Sequence, residues 1–317
     1  MTALEPTPAN RPDVTDMLTE AAAAMVSSTY PAPQAEEVLR GLADAYDADA
    51  EIVLLPTLVL TETHKHGVPQ LRVVKTSYRF DQMTQVQSVL AQARHNKDNA
   101  HDVAESLRAI SHKKPIYPSW LRVVGYSLSA LGFGAAFRLD LPALIAVTVM
   151  GLLIGVIVLN LSRSTRFAAL LPLIATFIAG LLVAGVAIAI DRPDPVRMVA
   201  MLIVVLLPGA TLTSGIIELV SGYMVSGASR LMYALMILGS MAFGGALAIA
   251  VSGIPSTRLV DVTATLTPEW VAWAGAAIYG VGTFLYFCTP LRLWLPSLFV
   301  MMVSFAISVL AVPSLGV

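Results

Sequence analysis

The residues of this chain best suited to chemistry lie close together in one run, LLPGATLTSGIIELVSGYMVSGASR, from Leu206 to Arg230. Pro208 and Gly209 interrupt it, Thr211, Thr213 and Ser214 follow with hydroxyls, and Glu218 and Arg230 supply one charge of each sign. The surrounding sequence is apolar enough to lie in a bilayer, where an unpaired polar or charged group costs several kcal/mol. Such groups in such a place point to a path for a polar solute. A proline removes a backbone donor and clashes with the preceding turn, and an adjacent glycine lets the chain bend. With a span beginning near residue 198, Pro208 falls about ten residues, or roughly 15 Å, into a hydrocarbon layer of ~30 Å. The helix is therefore predicted to break near the midplane. A broken helix leaves free N–H groups and a positive dipole end on its second half, an arrangement that holds anionic substrate groups in several transporters. Thr211, Thr213 and Ser214 can hydrogen-bond a small zwitterion there, or they can refill the backbone of a structural kink by bonding carbonyls one turn back.

Glu218 is the one carboxylate inside a predicted span rather than at its edge. Shielded from water, such a group can take up and release a proton as access alternates, which is the chemistry of proton-coupled transport. If the span runs from 198 to 219, Glu218 instead sits near its end within reach of water, as an interfacial carboxylate or one paired with an arginine. Arg230, one loop away on the same side, is the obvious partner, and the intervening residues 221–229 read as a tight loop or a short re-entrant turn.

Other chemistry finds little footing. His64 and His66 form an HxH with no third His, Cys or carboxylate at a recognisable spacing, so a solvated turn is the plainer reading. His95, His101 and His112 are scattered over helix faces. A single cysteine, Cys288, excludes an intramolecular disulfide, a CxxC redox pair and a structural zinc site. Without a GxGxxG, Walker, GxSxG or HExxH motif there is no positive case for an enzyme, and no cofactor is predicted. A net charge of −1 with no basic, aromatic-interleaved patch argues against nucleic acid as a partner.

The elements that must position the polar run follow from composition. Hydrophobic residues make up 56% of the 317 and mean hydropathy is +0.73, against about 45–50% apolar in a soluble domain. Residues 1–116 hold 11 of the 20 Lys+Arg and 15 of the 21 Asp+Glu, leaving 9 and 6 for the rest. Residues 1–12 read as a disordered tail with no signal peptide, and 13–116 as a small soluble α+β domain. In that domain DVTDMLTEAAAAMVSS, capped by Asp13, and PAPQAEEVLRGLADAYD read as helices. EIVLLPTLVLTET and PQLRVVKTS read as two or three strands, with Pro56 breaking the first run or on an edge, and DQMTQVQSVLAQARH and NAHDVAESLRAIS as two more helices.

Beyond Lys113 and Lys114, apolar runs at about 120–137, 141–161, 167–190, 198–219, 231–253, 270–289 and 293–312 give seven candidate transmembrane helices. The fold class is thus a polytopic α-helical membrane protein preceded by a soluble α+β domain. With the N-terminus cytoplasmic, inside flanks carry Lys113, Lys114, Arg122, Arg163, Arg166, Arg230 and Arg292, and outside loops carry Arg138, Arg192, Arg197 and Arg258. That balance favours an N-in orientation. Trp120, Trp270, Trp273 and Trp294 sit near span ends, as an interfacial belt places them, and Gly151 with Gly155, and Ser240 with Gly244 and Gly245, put small residues on helix-packing faces.

The run Leu206–Arg230 and the upstream junction AESLRAISHKKPIYPSWLRVVGYSLSALGFGAAF together resemble the threonine/serine exporter family of bacterial inner-membrane transporters, over most of residues 15–315. The resemblance implies export of L-threonine and L-serine driven by the proton-motive force, across the plasma membrane, with a cytoplasmic N-terminal domain. It carries over onto Pro208, Gly209, Thr211, Thr213, Glu218, Gly222, Gly227 and Arg230. Where several relatives have a second acidic residue, this chain has Tyr223. Family members look like two fused five-helix halves; by that pattern residues 117–253 are the first five-helix unit and 254–317 the first two helices of an incomplete second. An alternative reading is therefore a non-autonomous membrane subunit that needs a partner chain, or further copies of itself, to complete the pathway.

Overall fold

A computed structural model describes residues 11–63, 69–74, 77–164, 167–189, 195–253 and 267–314. The chain divides into two compact units, one of Met1–Pro115 with Gly209–Ala234 and the other of Ile116–Pro208 with Leu235–Val317.

In the first unit α1 (Arg11–Ser27) and α2 (Ala32–Ala45) precede a three-stranded antiparallel sheet in the order β1 (Ala50–Leu55), β2 (Leu58–Thr63), β3 (Gln70–Val73). Leu55 pairs with Leu58, so Pro56 and Thr57 form the hairpin turn, where a missing N–H removes nothing from the ladder. Helices α3 (Phe80–Asn96) and α4 (Ala100–Ser111) follow, α4 opened by Asn99, whose side chain accepts from His101 N at 3.2 Å. Arg11 and Pro12 already belong to α1, so Asp13 lies inside the helix and not at its cap, and the tail read over residues 1–12 does not reach residue 12; residues 1–10 lie outside the described residues. His64 and His66 lie outside the described residues. The core gathers Met17, Leu18 and Ala21 of α1, Leu39 and Leu42 of α2, Val59 of β2, Val86 of α3 and Leu107 and Ile110 of α4. Glu20, almost fully buried on α1, accepts from Arg108 Nε at 2.7 Å and from Arg72, tying α1 to α4 and β3.

The second unit is helical: α5 (Ser119–Ala136), α6 (Leu141–Leu161), α7 (Leu171–Ala189), α8 (Pro195–Ile203), the later part of α10 (Met224–Ser252), α11 (Glu269–Tyr286) and α12 (Trp294–Ser314). Four helices among the described residues are long and apolar enough to cross a membrane, and α8 with the following α9 (Gly209–Val220) makes one bent pair that would raise the number to five. This is fewer than the seven candidate spans, because α5 and α11 do not meet the same length and hydropathy standard. They instead form an antiparallel pair at backbone contact. A Cβ added at Gly132 would lie 2.2 Å from Tyr279 N, and one added at Gly282 would lie 2.4 Å from Ser129 N. Only a hydrogen at these positions lets the helices approach so closely. Gly151 and Gly155 of α6 lie less tightly against Ser127 and Tyr126 of α5, an added Cβ standing 3.0 and 3.1 Å away, and one added at Gly244 of α10 would lie 2.5 Å from Leu173 O of α7.

The fourth apolar run is interrupted as its proline requires. Helix α8 ends at Ile203, a single 3-10 turn covers Val204–Leu206, and Leu207 N donates to Val204 O at 3.2 Å, taking the carbonyl that residue 208 has no N–H to reach. Tyr126, fully buried on α5, donates its hydroxyl to Leu202 O at 2.6 Å, giving a carbonyl of this final turn a partner in apolar surroundings.

Candidate functional site

Helix α9 buries one face only, Ser214, Gly215 and Glu218. The first turns of α10 bury Ser226, Gly227 and Arg230 at the same spacing. A three-residue turn, Ser221–Tyr223, joins the two helices, with Gly222 at φ +89, a conformation that a side chain resists. The glycines of the two faces meet: a Cβ on Gly227 would stand 2.8 Å from Gly215 O. That approach brings the flanking polar groups together. Ser226 Oγ donates to Glu218 Oε2 at 2.8 Å, and Arg230 Nε lies 3.1 Å from Glu218 Oε1. Of residues 221–229 only Ser221–Tyr223 form the tight turn, since α10 already begins at Met224 and carries Arg230 in its second turn.

The third wall is the turn between α1 and α2. Thr29 adopts φ +60, costly for a β-branched residue, and is held there by backbone bonds that close α1, including Tyr30 N to Met25 O at 3.2 Å. Pro31 then starts α2 without a capping side chain of its own. The cap comes from 186 residues away: Ala32 N donates to Glu218 Oε1 at 2.9 Å. A carboxylate at a helix N-terminus accepts an orphan N–H and faces the positive end of the helix dipole. Ser214 Oγ donates to Thr29 O at 3.0 Å and Arg230 Nη2 to Tyr30 O at 3.3 Å. Glu218 is 0% exposed and Arg230 7%. The 3.1 Å contact between them is an ion pair by distance, yet the N–H is not aimed at the carboxylate, so Arg230 Nε is a buried donor without a hydrogen bond. Tyr223 donates its hydroxyl to Glu36 of α2, which also pairs with Arg40.

Of the residues singled out in the sequence, Ser214, Glu218 and Arg230 are brought together. Thr211 is half-buried and Thr213 exposed, away from the buried face. Gly209 opens α9 in open space and outside the left-handed region, so the interruption belongs to Pro208 and the glycine is not required to bend. The sequence reading missed Ser226, Gly215 and the Thr29–Ala32 turn. A signal for the first two is plain in retrospect: SGIIE at 214–218 and SGASR at 226–230 repeat Ser-Gly-x-x-charge with opposite signs. An apolar cavity of about 270 Å³ lies elsewhere, in the second unit, among Gly180, Ala184, Val199, Met241 and Gly245. Among the described residues no three His, Cys, Asp or Glu gather as metal ligands would.

Residues 16–252 match the family described as "Putative threonine/serine exporter". The chain is 28% identical over 302 residues to a "Probable threonine/serine exporter" of Mycobacterium tuberculosis, covering 88% of this chain and 55% of that protein. It is 27% identical over 245 residues to an uncharacterized protein of Schizosaccharomyces pombe, covering 73% of this chain and 29% of that protein. The chain thus spans about half the length of one relative and less than a third of the other. No solved structure matches it.

Proposed function

The chain belongs to the threonine/serine exporter family, and we propose that it exports small amino acids, L-threonine and L-serine, across the plasma membrane in exchange for protons. The observation that carries this reading is the buried Glu218–Arg230 pair, set on a segment that follows an interruption in an apolar run. A proton arriving on Glu218 cancels the charge facing Arg230 and would leave the guanidinium buried and unpaired. Such a state costs several kcal/mol, so proton uptake is tied to a rearrangement of whatever else touches the pair. The donors of Arg230 and Ser214 suit an anionic group and the carboxylate of Glu218 a cationic one, positions that the backbone of residues 29–32 takes in this structure.

In this proposal residues 13–116 are a soluble cytoplasmic domain, residues 117–253 a first transmembrane unit and 254–317 the start of a second. A second reading, a membrane subunit completed by a partner chain or by further copies, is favoured by α12. None of its most apolar window is buried, and Leu295, Phe299 and Leu310 are each more than two-thirds exposed, a surface that suits lipid or further helices.

Proteoliposomes loaded with radiolabelled L-threonine test the first reading. The wild-type chain should release the label when protons are given an inward gradient, and Glu218→Gln should insert into the membrane and lose the response to that gradient. An unchanged response in the variant removes Glu218 from coupling. Release that requires co-reconstitution with a second membrane polypeptide favours the second reading.

A further inference from the structure

The α1–α2 turn meets Ser214, Glu218 and Arg230 with the atoms that an amino acid would use. Two carbonyl oxygens, of Thr29 and Tyr30, lie on Ser214 Oγ and Arg230 Nη2, where a carboxylate would lie. One N–H, of Ala32, lies on Glu218 Oε1, where an ammonium would lie. The geometry points to this turn as a built-in competitor: a zwitterionic amino acid, its carboxylate on Arg230 and Ser214 and its ammonium on Glu218, binds by displacing residues 29–32. The inference rests on the export reading and adds to it the docking of the two charged ends and the element that must leave.

Three features favour the exchange. The turn satisfies the site poorly, since Arg230 Nε is a buried donor without a hydrogen bond and the Nη2 contact is long at 3.3 Å. A carboxylate can take both donors of one guanidinium edge at once, with two ion-to-ion bonds in place of one long bond to a neutral carbonyl. The exchange also conserves charge: one Glu218–Arg230 pair becomes two pairs, each with one end of the zwitterion, and no buried charge is left alone. A primary amine or a carboxylic acid alone would leave one of the two without a new partner. Finally, Thr29 is held at φ +60, so the seated turn carries a backbone cost that its departure can relieve.

A competitor lowers apparent affinity by the fraction of time it is absent, so weakening it should tighten substrate binding. Ala32→Pro removes the N–H that reaches Glu218, at a helix start where proline fits and after a residue whose ψ of 138 already suits a following proline. The full chain in lipid nanodiscs is titrated with L-threonine and L-serine, and backbone hydrogen exchange of residues 28–35 is followed alongside. L-Threonine methyl ester, which lacks the carboxylate, and N-acetyl-L-threonine, which lacks the ammonium, are the controls. Expected are faster exchange in 28–35 with the free amino acids only, and binding about tenfold tighter in Ala32→Pro, as loss of one charge-assisted bond allows. Binding by Ala32→Pro with none detected in the wild type supports the inference in its strongest form. Amino-acid binding that leaves 28–35 unchanged or protects it, or equal binding of the ester, overturns the inference and leaves the export reading standing. Absence of binding in both proteins overturns both.

Discussion

Replacing Glu218 with glutamine changes two acceptor oxygens into one oxygen and an NH2 group, and the consequence is set by what surrounds them. The carboxylate is wholly buried, caps α2 through Ala32 N and faces Arg230, which is itself almost wholly buried. Removing either charge leaves the other without its counter-ion, an effect of about 3–5 kcal/mol in comparable buried pairs. Glu218→Gln and Arg230→Gln should each destabilise the chain to this extent, and the double variant should lie closer to the wild type than either, because no lone charge remains. Denaturant titration of the four proteins in detergent micelles measures the coupling. Strictly additive losses would mean that the two side chains act through separate contacts. The carboxylate was conspicuous in the sequence because it is an acid in an apolar run. Its partner Ala32 was not, because a backbone N–H carries no side-chain signature and lies 186 residues away.

At the scale of elements, what the sequence made legible depended on how local the cause is. Pro208 ends its helix through its own missing N–H, and the helices of the N-terminal unit follow from apolar spacing, so these were readable from short stretches. The pairing of α5 with α11 was not, although Gly125 and Gly132 on one and Gly275 and Gly282 on the other share a seven-residue spacing. Spacing within each helix says that a flat face exists and does not say which helix covers it. The close approach yields a prediction. Gly132→Ala would put a methyl carbon 2.2 Å from the backbone of Tyr279, so α5 and α11 must separate along their length. Overpacking of this kind costs about 1–3 kcal/mol or more. Gly239→Ala, where an added Cβ meets nothing within 4 Å, should be neutral or slightly stabilising in its helix. Thermal unfolding in detergent, followed by tryptophan fluorescence, compares them; equal midpoints would mean that the helix pair is looser than its backbone distances indicate.

For the whole molecule, orientation in the membrane follows from the basic residues that flank its spans. Among the seven basic residues assigned to inside flanks, Arg230 is buried against Glu218 and does not count as a flanking charge, which leaves six against four. The remaining bias still favours a cytoplasmic N-terminal unit. A cysteine scan can decide the matter with little interference, because the one native thiol, Cys288, is fully buried. Glu105 lies on the exposed face of α4, so Glu105→Cys should leave the core formed by Val103, Ala104 and Leu107 intact. A membrane-impermeant maleimide should label this variant in inside-out vesicles and spare it in intact spheroplasts until the membrane is permeabilised. Labelling in intact spheroplasts would put the N-terminal unit outside. It would also reverse the proposed vector of transport, because the turn that competes with substrate would then face the medium rather than the pool of amino acid to be expelled.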